Sequence, residues 1–158
     1  VIAEAKVAKT SLYRYFPSKD ALIYAYLERR NQQFWQQLEA FWADCEPEPM
    51  AQLTGMIDFI AHLLAKSDCW GCPFLLTASE FANADHVSRQ VILEHKKMVC
   101  DRITTLATAA NLNQPQSLAG QLTMVIDGGF SQTRYLENEQ VSHTFKRAAM
   151  ALITQAAN

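Results

Sequence analysis

Five prolines and five glycines are almost all that interrupts this 158-residue chain. A proline has no amide hydrogen and clashes with the preceding turn, so it ends a helix or opens one at its first position. Pro17, the Pro47 and Pro49 pair, Pro73 and Pro115 therefore divide a sequence rich in Ala, Leu and Gln into helical segments. Residues 18–44 carry Leu22, Ala25, Tyr26, Phe34, Trp35, Leu38, Phe41 and Trp42 at helical spacing, an axis of ~40 Å. Ser18 is expected to cap that helix, with Asp20 in its first turn. Over 49–66, Met50, Leu53, Ile57, Ile60 and Leu64 mark one core face. A Trp70-Gly71-Cys72-Pro73 turn precedes a shorter helix over 73–83, and Asp85 is expected to cap the next, which runs to about Ala110. In that helix Ile92, Val99, Ile103, Leu106 and Ala110 face inward, while Arg89, Glu94, Lys96, Lys97 and Asp101 face solvent. Asn111 to Pro115 reads as a loop. The last two helices, about 116–136 and 138–156, bury Leu118, Leu122, Val125, Ile126 and Gly129, and Val141, Phe145, Ala148, Leu152 and Ala156. No strand pattern, repeat or low-complexity tract appears, so the fold class is all-α.

Hydrophobic residues make up 49% of the chain and are spread along it, enough for a packed core and against disorder. No stretch of about 18 consecutive apolar residues exists, which argues against a membrane span. The chain opens at Val1 with neither an initiating Met nor a basic leader, as expected of a piece of a larger, cytoplasmic polypeptide. The net charge of −2 conceals an asymmetry. Residues 1–30 hold six bases and three acids, net +3; the other residues hold eight bases and thirteen acids, net −5. A basic end on an acidic body suggests that one end meets a polyanion.

That basic end reads as two short helices joined by a turn, the second ending at Phe16, where Pro17 disfavours helical geometry. Such a pair is how a helix-turn-helix enters the major groove. In the second helix Leu12 and Phe16 form the anchoring face, while Lys9, Thr10, Ser11, Tyr13, Arg14 and Tyr15 present groups that can donate to phosphates and base edges. Lys19, at the start of the long helix, stands where free backbone N–H groups already favour an anion. The run Val7-x-Lys9-x-x-Leu12-Tyr13-Arg14-Tyr15-Phe16-x-Ser18-Lys19-x-x-Leu22 resembles the signature of the TetR family of bacterial transcriptional regulators.

The resemblance implies a DNA-binding module of three helices, a fourth helix linking it to a ligand-binding body, and a last pair that joins a second subunit. It implies domains at 1–30, with the first helix of the module preceding Val1, and at 31–158. By position it assigns Lys9, Thr10 and Ser11 to the start of the recognition helix, Tyr13 and Tyr15 to its aromatic and polar contacts, and Lys19 to a backbone phosphate. Lys6 and Thr10 stand where the family often has Gly, so the operator sequence does not transfer.

In the body, Phe59, Leu63, Phe74, Phe81, Met98 and Met124 fall off the main core stripes and are candidates to line a small-molecule pocket. Arg102 and Asp127, ionisable positions in apolar helices, are candidates to orient a polar group of that ligand. Gly120, Gly128, Gly129, Ala148, Ala149 and Ala151 permit close helix approach, and Leu118, Leu122, Gly129, Phe145, Ala149 and Leu152 are the expected dimer contacts. Cys69 and Cys72 have C-x-x-C spacing, but no second pair completes a zinc site and no βαβ pattern surrounds them, so structural thiols are expected. His62, His86, His95 and His143 are scattered, and no metal or cofactor is implied. Catalytic motifs such as a phosphate loop, G-x-S-x-G or H-E-x-x-H are missing, so an enzyme is not expected.

The sequence thus reads as a homodimeric, ligand-responsive repressor of a palindromic double-stranded DNA operator, with an unknown small-molecule effector and coupling along the long helix. A cysteine-based redox or metal sensor is the alternative, and an all-helical enzyme a more distant one.

Overall fold

A computed structural model describes residues 9–43, 46–81, 83 and 85–158. Among them are seven helices: α1 (Lys9–Tyr15), α2 (Lys19–Trp42), α3 (Pro49–Ala65), α4 (Pro73–Glu80), α5 (Ser88–Ala109), α6 (Pro115–Gln132) and α7 (Asn138–Ala157). The expected first helix and turn of the N-terminal module, with Lys6 and Val7, lie outside the described residues, as does Cys45.

Turn chemistry sets most of these boundaries. Pro49, Pro73 and Pro115 open α3, α4 and α6, where the missing amide hydrogen has no partner to lose. Ser18 caps α2 as expected: its Oγ accepts the Ala21 N–H at 3.0 Å. At the end of α5 the chain turns through Asn111 at φ +55°. The Asn111 N–H donates to the Thr108 carbonyl and the Leu112 N–H to that of Ala107, the paired bonds of a Schellman turn, with Leu112 buried beneath.

Asp85 does not cap α5. Its own N–H donates to Asn83 Oδ1, which closes a turn ahead of the helix. Ser88 begins α5 instead, its N–H donating to His86 Nδ1 at 3.3 Å. α6 ends at Gln132, short of the expected 136; the Thr133 hydroxyl takes the Phe130 carbonyl and the chain turns there.

The main core lies between α3, α5, α6 and α7, with the far half of α2 closing one side. α3 is apolar nearly all round, with Leu53, Met56, Ile57, Phe59, Ile60, Ala61 and Leu64 all buried, as befits a central helix. Gly129 permits the tightest crossing: a Cβ there would stand 3.1 Å from Leu64 Cδ1 and 3.4 Å from Phe145 Cδ2. A smaller core of Leu27, Cys72, Phe74 and Val91 joins α2, α4 and α5.

Two inner stripes differ from the expected ones by a rotation. α5 buries Val91, His95, Val99, Ile103 and Leu106, so Lys96 turns half inward rather than to solvent. α7 buries Val141, Phe145, Ala149 and Ile153, a steady four-residue step, and leaves Ala148 exposed. Among the described residues no helix is long and apolar enough to cross a membrane.

Candidate functional site

Two surfaces gather chemistry-bearing residues. The first is α1 with the start of α2. Leu12 and Phe16 turn partly inward, and the Phe16 N–H closes on the Leu12 carbonyl at 2.9 Å. Tyr13, Arg14 and Tyr15 then stand outward, Tyr15 70% exposed, with Arg14 Nη2 donating to the Tyr15 hydroxyl at 3.4 Å and its guanidinium over the Tyr15 ring. Ser11 is half-buried; Lys9 and Thr10 are the first residues of α1, and their side chains lie outside the described set. The exposed Lys19 reaches back to the body, its Nζ 3.4 Å from Glu80 Oε1 and 5.1 Å from the Phe81 ring centroid. Beside it Asp20 faces His86 Nε2 at 3.4 Å, and His86 stacks on Phe81. The head of α2 is thus fastened to the segment that follows α4.

The second is a cavity of about 260 Å³ between α2, α3, α4, α5 and α6. Its apolar walls include Phe34, Leu63, Phe74, Val99, Ile126 and Phe130. The Phe74 and His95 rings stack at 3.8 Å, and Phe34 meets His95 edge-on at 5.2 Å. Asn31 fixes the tautomer of that histidine. Trp35 Nε1–H donates to Asn31 Oδ1 at 3.0 Å, so the same oxygen must also accept from His95 Nδ1, 2.8 Å away. Burial, with the charge of Lys96 second, lowers the His95 pKa to about 4, so the ring is neutral at pH 7.

The cavity's polar element is an ion pair across two helices, Lys96 on α5 with Asp127 on α6, the side chains 24% and 30% exposed. Arg30, Lys66 and Asp68 also line the space. Gly71 completes the wall at φ +106°, a conformation that favours glycine, with the Phe130 carbonyl 3.4 Å from where a Cβ would stand. Asn138 Nδ2 donates to the Lys66 and Cys69 carbonyls, tying this loop to the head of α7.

Of the residues expected to meet a ligand, Leu63, Phe74 and Asp127 line the cavity. Phe59 is buried core, edge-on to Phe34. Phe81 packs on His86 and Lys19, outside the space. Met98 and Met124 lie on the surface. Arg102 clamps α5 to α2, 3.5 Å from Glu39 Oε1 and over the Trp35 and Trp42 rings. Arg30, Phe34, His95 and Lys96 were not singled out for this role. The signal for the last two was the stripe Val91, His95, Val99, which carries Lys96 to the inner edge of α5.

Leu118, Leu122, Gly129, Phe145 and Ala149 are buried within one chain, where they form the seam between α6, α7 and α3, and Leu152 packs against the same core. The outer face of α6 instead presents Gly120, Met124 and Gly128 to solvent, with Ala148 and Ala151 exposed on α7.

Cys69 and Cys72 are both free and both line the cavity; burial pushes the Cys72 thiol up, only partly offset by Lys96. Among the described residues no three His, Cys, Asp or Glu side chains gather to hold a metal ion.

A short helix with an exposed basic and aromatic face, seated at the head of a long helix that enters an all-helical body, has the fold of a helix-turn-helix transcriptional regulator. Residues 1–26 match the family model described as bacterial regulatory proteins, tetR family. The chain is similar throughout to SCO4454, a TetR-family transcriptional regulator from Streptomyces coelicolor: TM-score 0.90, 25% identity, 99% of this chain and 82% of that one covered. It also shares its fold with sav143 from Streptomyces avermitilis, with TM-score 0.79 and 22% identity over 98% and 84% of the two chains. No curated protein matches the sequence significantly. The N-terminal residues thus match the tetR-family model, and the chain shares the fold of a TetR-family regulator over nearly its whole length.

Proposed function

We propose that this chain is a homodimeric repressor that holds a palindromic operator through α1 and the head of α2, and releases it when a small molecule fills the cavity. The observation that carries this reading is the contact of Lys19 with Glu80 and Phe81. Lys19 stands at the first turn of α2, where a phosphate is favoured, and its partners end the helix α4 whose first turn, Pro73 and Phe74, lines the cavity. A ligand that displaces α4 therefore shifts the phosphate-binding end of α2, and differential affinity for the two arrangements is what coupling requires.

Footprinting on DNA flanking the protein's own gene tests the proposal. A protected palindrome is the expected result, lost in Tyr13→Ala and in Lys19→Ala while both variants keep their oligomeric state. Binding should also weaken steeply with salt, because phosphate contacts release counterions. Normal protection by both variants would overturn the assignment of this surface.

A further inference from the structure

We infer that the effector of the cavity is a compact aromatic carboxylate, its ring held between the apolar walls and its anion on Lys96. This rests on the reading of the cavity as an effector site and goes beyond it by fixing the chemical class. The size comes first. At about 260 Å³ the space falls just below the ~300–1,000 Å³ of drug-sized sites, which suits one or two fused rings.

Flatness follows from the walls. Phe74 and His95 lie parallel to within 8° at 3.8 Å, and Phe34 stands at 83° to His95. Rings held in this way, with Phe130 beside them, form a stiff aromatic lining against which a planar group can pack by face or edge contact. A neutral His95, its Nδ1–H committed to Asn31, belongs to that apolar wall and brings no charge.

The sign comes from the ionisable lining. Three cations, Arg30, Lys66 and Lys96, face two anions, Asp68 and Asp127. Asp127 is already matched by Lys96, whereas an ammonium has three donors and can serve Asp127 and a ligand carboxylate together. The Thr123 hydroxyl offers no competing donor, because it is given to the Ala119 carbonyl at 2.8 Å. A cationic ligand would meet the surplus of positive charge, and a neutral one would take up room beside the ion pair without a partner for it.

Calorimetric titration of the whole chain, free of DNA, with naphthoate, naphthylmethanol and naphthylmethylamine tests the class. Naphthoate should bind at least about tenfold tighter than the other two, the ratio that a charge-assisted hydrogen bond supplies. Asp127→Asn frees Lys96 and should tighten naphthoate several-fold. Lys96→Met leaves Asp127 alone and should reverse the order in favour of the amine. Equal binding of the three probes, no binding of any, or unchanged naphthoate affinity in both variants overturns the inference. The underlying effector reading fails separately: a neutral ligand that releases the operator removes only the carboxylate class, while an operator complex indifferent to every cavity occupant removes the effector reading itself.

Discussion

His95 shows how one buried side chain ties the body together and makes its stability depend on pH. The ring stacks on Phe74, meets Phe34 edge-on and donates to Asn31, so it joins α4, α2 and α5 at one point. Burial lowers its pKa from 6.5 to about 4, which means that the unfolded chain binds a proton more readily than the folded one between those values. Stability from this group is fully present above pH 6.5 and is lost as pH falls toward 4. From pH 7 to pH 4.5 that loss is about 2 kcal/mol, at ~1.4 kcal/mol per unit. Carboxylates titrate over the same range, so His95→Gln is the control. Urea unfolding at the two pH values should show the wild type losing about 2 kcal/mol more than the variant; parallel losses would show that the histidine is not buried neutral.

At the level of elements, the joints hold because local chemistry and tertiary packing agree. Asn111 illustrates this: its φ of +55° is a left-handed position that Asn and Gly adopt at less cost than other residues, and it delivers Leu112 into the core. Asn111→Gly should leave thermal unfolding within about 0.5 kcal/mol of wild type, whereas Asn111→Val should cost about 1–2 kcal/mol. Equal effects in calorimetry would mean that the turn relaxes out of the left-handed region. Such joints were legible in the sequence because their chemistry is local: Ser18, Pro49, Pro73, Asn111 and Pro115 act within a few residues of themselves. Helix rotation was less legible. Ala148 and Ala149 are the same residue type, and tertiary packing, with Phe145 beside Gly129 and Val141 and Ile153 on the same stripe, turns Ala149 inward. The cavity was legible in part for the same reason. Leu63, Phe74 and Asp127 were readable as unusual positions, but Arg30 and Lys96 look like ordinary surface cations until five helices bring them to one space.

For the whole molecule, the distribution of burial bears on where the second copy of the proposed dimer would dock. Leu118, Leu122 and Phe145 are used inside the protomer, so the proposed dimer is better served by the outer face of α6. Gly120, Met124 and Gly128 recur there at four-residue spacing, and a Cβ at either glycine would find nothing within 4 Å. Met124 stands 76% exposed between them. Small residues flanking one adaptable apolar side chain permit two helices to approach closely across a two-fold axis. Met124→Glu places a charge on that axis in both copies, where each meets its like, while leaving the protomer's core untouched. Light scattering coupled to size exclusion should then report a monomer with unchanged helical circular dichroism. Operator affinity should fall by about a hundredfold or more, since two linked recognition helices gain from effective concentration what one alone does not. A variant that stays dimeric moves the interface away from α6. A monomer that still binds the operator at wild-type affinity would show instead that one module suffices, and that the palindrome is not what the protein reads.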